Sequence, residues 1–198
     1  MAAKGTASDG KKSAPGQWDI DFTPRYCEIQ WRERSGRVLY LQNGPLRIFL
    51  DIPAGWEASG DKGALLLKRR DGTFGRIELR ATETRLPVPM TPEWAENSRK
   101  RLVKFAAPEA RDIQFLEQKE GPLDVNNWRS FEQRFTYSFF GDAITYSICH
   151  LRLSADYDLE LICTARSQDF AAAHAAAFSM MSSWNMPPAN VLQQMVVR

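Results

Sequence analysis

The sequence predicts an α+β fold: an antiparallel sheet sandwiched by helices, with a β-hairpin extension ahead of it. Three observations carry that expectation. Residues 129–139 alternate, with Phe131, Gln133, Phe135, Tyr137 and Phe139 on one parity and Ser130, Glu132, Arg134, Thr136 and Ser138 on the other, the period of two expected of a strand with one buried face. The next strand is apolar on both parities, with Ile144, Tyr146 and Ile148 against Cys149, Leu151 and Leu153, as a strand inside a doubly covered sheet should be. Finally, Phe170, His174, Ala177, Met181 and Trp184 recur at helical spacing among alanines, which predicts a closing helix laid on that sheet.

The elements follow in chain order. Residues 1–17 are rich in Gly, Ala, Ser and Lys and lack aromatics, so they read as a flexible tail. Between residues 25 and 42, alternating runs with Cys27, Ile29 and Trp31, then Val38 to Leu41, flank Glu33-Arg34-Ser35-Gly36 and predict a hairpin. Asn43-Gly44-Pro45 breaks the chain. Leu46, Ile48, Leu50 and Ile52 then alternate up to Pro53. Residues 64–69 and 76–81 read as two strands joined through Asp71-Gly72. Thr91-Pro92-Glu93 opens a helix with a hydroxyl cap, a first-position proline and an early carboxylate; Trp94, Ser98, Leu102 and Phe105 form its stripe and Pro108 its end. Residues 112–118 are a further strand. The reading gives a tail at 1–17, a hairpin extension at 18–45, a domain at 46–186 and a C-terminal tail at 187–198.

Within the last three strands the sequence also suggests a registry. A two-residue turn at Gly141-Asp142 sets Gln133 opposite His150 and Phe135 opposite Ile148. A three-residue turn at 155–157 sets Cys149 opposite Cys163. Those two thiols either form a cross-strand bridge or stay free, and burial of two free thiols is the favoured state.

Composition narrows function by exclusion. The 198 residues carry a formal charge of +2, with 43% hydrophobic and 25% charged residues, ordinary for a globular protein and short of a dedicated nucleic-acid binder. No apolar run is long enough for a membrane span. Lys4, Lys11 and Lys12 precede no apolar stretch, so the start is not an intact signal peptide. The chain reads as soluble, cytoplasmic as it stands and periplasmic if an upstream signal was removed. Three cysteines without a CxxC pair and two histidines give no metal site. Hydrolase, metalloprotease and nucleotide-binding signatures are absent, and no cofactor is expected.

Several segments resemble the PsbP-like fold: the run 49–56 (Phe49-Leu50-Asp51-Ile52-Pro53-Ala54-Gly55-Trp56), the hairpin from Phe135 to Tyr146, and the closing Phe178-Ser179-Met180-Met181-Ser182-Ser183-Trp184. The likeness covers residues 46–184. It implies an α/β/α sandwich serving as a binding module, in a group that includes the extrinsic photosystem II subunit, DcrB-type proteins and type VI effector chaperones. No functional residue of the group maps onto this chain, and fold alone decides little about function.

Two kinds of candidate site remain. Gln133 and His150 would sit side by side on the aromatic face, either ending a pocket or holding a ligand by hydrogen bonds, or simply bonding each other or water. His174, on the closing helix, reads as a packed residue bonded to a neighbour. Lys68, Arg69, Arg70 and Arg76 gather around one turn, and Arg99, Lys100, Arg101 and Lys104 at one helix end. Either group could receive an acidic partner, an anionic membrane surface or RNA, or be a solvated face with helix-dipole complementation. The sequence therefore points to a non-catalytic protein-interaction module or accessory subunit. The alternative is a small-ligand or lipid carrier, or a secretion-type chaperone, using the aromatic face; that requires the last helix to stand off it. Oligomeric state is left open.

Overall fold

The computed structural model describes residues 18–31, 34–103, 106, 108–123 and 127–187. The tails at 1–17 and 188–198, and with them Lys104 and Phe105, lie outside the described residues. Ten strands and two helices are described: β1 (Ile20–Trp31), β2 (Arg34–Asn43), β3 (Leu46–Leu50), β4 (Trp56–Gly60), β5 (Ala64–Arg69), β6 (Gly75–Thr82), α1 (Pro92–Leu102), β7 (Arg111–Glu120), β8 (Arg129–Phe139), β9 (Asp142–Arg152), β10 (Asp158–Arg166) and α2 (Phe170–Ser182). They build an antiparallel three-stranded sheet, ordered β1-β2-β3, and an antiparallel seven-stranded sheet, ordered β4-β5-β6-β10-β9-β8-β7.

Strand parity divides the large sheet into two faces. One carries Leu65, Leu67, Ile77, Leu79, Leu159, Leu161, Cys163, Cys149 and Leu151, all buried. Half of this face is covered by the small sheet through Ile20, Phe22, Leu39, Leu41, Ile48 and Leu50. The other half is covered by α2 through Phe170, Ala173, Ala177, Met180 and Met181. Alanines on α2 remove side-chain bulk, so the helix can lie close on β10 and β6. The opposite face carries Phe131, Phe135, Tyr137, Ile144, Tyr146 and Ile148. There α1 packs, with Leu102 joining the rings and Ala95 meeting Phe131 and Leu86. β9 is buried on both faces, as its composition required.

The β8 and β9 part of the aromatic face is thus covered by α1, whereas the sequence reading laid the closing helix over it. Parity fixes which residues share a face, but a helix stripe does not say which face receives it. Face choice followed apolar continuity, since α2 joins the same core as the small sheet.

The registry also differs. The β8–β9 loop is Phe140-Gly141, with Phe139 paired to Asp142. Both loop residues have positive φ, 48° and 88°, as a type I′ turn demands of both central positions. Every pair is therefore displaced by two: Phe131 faces His150, Phe135 faces Tyr146, and Gln133 faces Ile148. A shift of two preserves the faces. The β9–β10 loop has five residues rather than three, because Arg152 pairs with Asp158; Cys149 consequently meets Leu161. Cys27, Cys149 and Cys163 are free thiols.

Smaller departures have local causes. Residues 34–36, expected in a turn, belong to β2, since Trp31 pairs with Arg34. β4, which the sequence reading missed, buries little beyond Trp56 and so lacks an apolar alternation. Helix α1 starts as expected, with the Thr91 hydroxyl accepting from the Trp94 amide at 3.2 Å, but ends at Leu102. Asp169 caps α2 without a side-chain hydrogen bond; the Ser167 hydroxyl pairs instead with Thr145 at 2.8 Å.

Candidate functional site

The aromatic face is only half covered. Across the sheet its residues fall into rows, one residue per strand. One row runs Phe131, His150, Glu160, Arg80; the next runs Gln133, Ile148, Ile162, Glu78, Leu66; the third runs Phe135, Tyr146, Thr164, Arg76, Lys68, with Glu57 at the edge. Helix α1 lies over the β8 and β9 end of these rows. On the β10, β6 and β5 end, Lys68 and Arg76 are exposed and Phe74 is 47% exposed. An open groove of about 390 Å³ runs from β6 across β10 to β9 and β8, with Tyr137, Tyr146, Ile162 and Phe74 as apolar lining and Arg76, Glu78, Arg80 and Thr164 as polar lining.

Alternation placed the charges there. In β6 the odd positions Ile77 and Leu79 enter the covered core, which leaves Arg76, Glu78 and Arg80 side by side on the open face. Arg76 donates to Glu78 at 2.6 Å and Arg80 donates to the same carboxylate at 3.2 Å. Arg80 also reaches Glu160 Oε2 through Nε and Nη2, at 3.0 and 2.8 Å. The Thr82 hydroxyl donates to Glu160 Oε1 at 3.1 Å. Glu160 is only 3% exposed, and these charge-assisted bonds replace the water it has lost.

Helix α1 meets the groove at Tyr146, one of the groove's lining residues. Its last turn is held by the Tyr146 hydroxyl, which donates to the Leu102 carbonyl at 2.6 Å, satisfying an acceptor the helix end leaves open. Burial raises the Tyr146 phenol well above its ordinary range, so it remains a donor. Arg101 crosses from this turn to the Thr84 hydroxyl and stands 3.9 Å from Glu160 Oε1. The loop carrying Thr84 is pinned one turn later: the Leu86 amide donates to Asp158 and its carbonyl accepts from Arg152 at 2.7 Å.

His150 is fully buried beneath α1, with its Nδ1 3.6 Å from Glu160 Oε1 and its ring edge-on to Trp94 at 5.3 Å. Burial drives its pKa down to about 4; Glu160 opposes this, while Arg101 and Arg80 add to it. The ring is therefore neutral at physiological pH. Gln133, also fully buried, donates from Nε2 to the Ala95 carbonyl at 3.0 Å, so its amide seats α1. It does not pair with His150.

The remaining sequence candidates divide. Lys68, Arg76 and Arg101 share the open face. Arg69 lies on the opposite face, 6.0 Å over the Trp56 ring and bound to Asp71 at 2.6 Å. Arg70 borders a separate cavity of about 510 Å³ between the two sheets, where Tyr26, Arg37 and Trp56 also lie. Arg99 and Lys100 both approach Glu96 at 3.8 Å, and Arg99 stacks 4.4 Å over Phe115. The residues missed were Arg80, Glu160 and Glu78. Their signal was present: a charge at every second position of β6, and a lone carboxylate between Leu159 and Leu161 on a strand apolar at its neighbours.

A second polar cluster lies on the covered face. Glu132, 1% exposed, accepts from His174 Nε2 at 2.6 Å and from Arg134 at 3.0 Å, and Arg134 is also paired with Glu117. It joins α2 to β8. His174 is thus bonded to a neighbour, as its place in the sequence suggested. Beside it, burial pushes Cys163 up to about 12 and Cys149 well above the usual thiol value. Among the described residues no group of three His, Cys, Asp or Glu side chains is placed to hold a metal. No described helix is long and apolar enough to cross a membrane.

No family model matches this chain, and none of the curated proteins matches it. Among solved structures it is similar to LpqN of Mycobacterium tuberculosis, involved in cell envelope biogenesis, at 12% identity over 71% of this chain and 83% of that one, with a TM-score of 0.44. It is also similar to cyanobacterial PsbP (CyanoP) of Synechocystis, at 10% identity over 91% and 100% of the two chains, with a TM-score of 0.45. A Bacteroides thetaiotaomicron protein matches at 12% identity and a TM-score of 0.43; 72% of this chain is covered, and it spans 46% of the length of that one. At such identities and scores these likenesses carry nothing about the site.

Proposed function

We propose that this chain is a non-catalytic binding module, an accessory subunit that receives a protein partner on the open half of the aromatic face. The observation that supports this is the uneven covering of the seven-stranded sheet: β10, β6 and β5 are covered on one face by α2 and the small sheet, while their other face ends in exposed Lys68, Arg76 and Phe74. An amphipathic surface of this kind, rimmed by charge, is where association removes the most apolar area from water. Its ionisable groups are committed to each other: Glu160 to Arg80 and Thr82, Glu78 to Arg76 and Arg80. That arrangement suits recognition better than proton transfer. The carrier reading is less well supported, because Phe131, Phe135 and Tyr146 are at most 3% exposed, packed on one another and on α1.

The test is site-specific photocrosslinking in the native extract, with benzoylphenylalanine replacing Phe74 or, as a control at the far end of the sheet, Phe140. One protein captured from position 74 and not from position 140 is the expected result. Capture of the same protein from both positions, or of none from position 74, would overturn the reading.

A further inference from the structure

The partner's chemistry follows from the groove, on the premise that the open face is the docking surface. We infer that its occupant is an acidic amphipathic helix of a protein partner, laid alongside α1. The groove's lining runs along β6 from Phe74 to Arg80, about 20 Å at ~3.3 Å per residue. The open face on which it lies, across β10, β6, β5 and β4, is about 15 Å wide at ~4.8 Å per strand. One helix, ~10 Å across and about 13 residues long, fits that space. Helix α1 already occupies the other half of the same face in the same manner, with Leu102 and Ala95 on the rings.

Charge decides the sign of the helix. Glu78 is shared by Arg76 and Arg80, and Glu160 by Arg80 and Arg101, so two carboxylates serve three guanidiniums. Lys68 adds a further cation level with Arg76, and Glu57 on edge strand β4 stands beside it as the remaining acid. The excess is positive. Arg101 Nη2, in the last turn of α1, is shielded from water and stands 3.9 Å from Glu160. A carboxylate-flanked stripe would meet the exposed Lys68 and Arg76, while its apolar side chains would cover Ile162, Tyr137 and Phe74.

The probes are three synthetic peptides of about 13 residues, the length set by the groove: a leucine stripe flanked by glutamates, the same stripe flanked by lysines, and a scrambled acidic peptide of identical composition. Binding is read by fluorescence anisotropy and by amide chemical shifts. The acidic stripe peptide should bind, with shifts confined to β5, β6, β10 and the end of α1. A Lys68→Glu/Arg76→Glu variant, changed only at exposed positions, should weaken it at least tenfold. Failure of the acidic peptide to bind, equal binding by the lysine or scrambled peptide, shifts elsewhere, or tighter binding of a short single-stranded RNA would each overturn the inference. If the acidic peptide fails while position 74 still captures a native protein, the binding-module reading stands and the acidic helix alone falls.

Discussion

Removing the imidazole of His174 should detach α2 from β8 at a cost that can be worked from its contacts. His174→Ala deletes the 2.6 Å bond to the Glu132 carboxylate; hydrogen bonds to charged groups contribute about 1.5–3 kcal/mol. It also deletes ring contacts to Phe170 and Phe178, at centroid distances of 5.5 and 4.1 Å, of the kind that contributes about 0.5–1.5 kcal/mol. The gain in helix propensity on replacing His by Ala offsets up to about 0.7 kcal/mol. Glu132 keeps its bond from Arg134 at 3.0 Å, so it is not left as an unpaired buried charge. The net expectation is a loss of about 2–3 kcal/mol from these combined contributions.

Urea unfolding followed by tryptophan fluorescence measures this, with an unchanged m-value as the sign that only stability moved. The same bond gives a pH signature. Burial raises the Glu132 pKa, but the hydrogen bonds and charges of His174 and Arg134 outweigh it and hold the carboxyl below its ordinary value of 4.5. A depressed folded pKa means stability that is present above the unfolded value and lost as pH falls through the folded one. Wild type should therefore lose stability below about pH 4.5, and Glu132→Gln should lack that part of the loss. A double-mutant cycle between His174→Ala and Glu132→Gln should show coupling of about 1 kcal/mol or more. A His174→Ala protein within about 0.5 kcal/mol of wild type, a range typical of surface changes, would refute the clamp.

Three further outcomes are expected. Phe140, 84% exposed and held at φ 48° in the β8–β9 turn, should be improved by Asn: Phe140→Asn should raise stability by about 0.5–1 kcal/mol in the same urea assay, as suits an Asn-Gly type I′ turn. Tyr146→Phe removes the donor to the Leu102 carbonyl and should cost about 1–2 kcal/mol by thermal unfolding, with hydrogen exchange rising first in the last turn of α1. In thiol titration with a chromogenic disulfide, buried Cys149 and Cys163 should be silent in the folded protein and react fully in denaturant; rapid labelling at neutral pH would contradict their burial.

Most of the strand and helix inventory was legible because it rests on local periodicity. The alternation in 129–139 became β8, the doubly apolar run became the buried β9, and Thr91-Pro92-Glu93 capped α1. β4 was not legible, since a short edge strand with one buried tryptophan carries no period. The candidate site was legible in part. Lys68, Arg76 and Arg101 were singled out for their charge, but their meeting on one face was not foreseeable from spacing. Arg80 and Glu160, which join the two clusters, lie 80 residues apart in the chain.

Amino-acid order alone settled which side chains share a strand face, because neighbours point oppositely and a registry error of two leaves that parity intact. Turn geometry settled the registry: Phe140 and Gly141 adopt the two positive φ angles, which moved His150 from Gln133 to Phe131, and the five-residue β9–β10 loop set Glu160 opposite it. Tertiary packing then settled which helix lies on which face. Nothing in either helix encodes that choice locally; it depends on which apolar surfaces remain unburied once the small sheet has taken its half of the core.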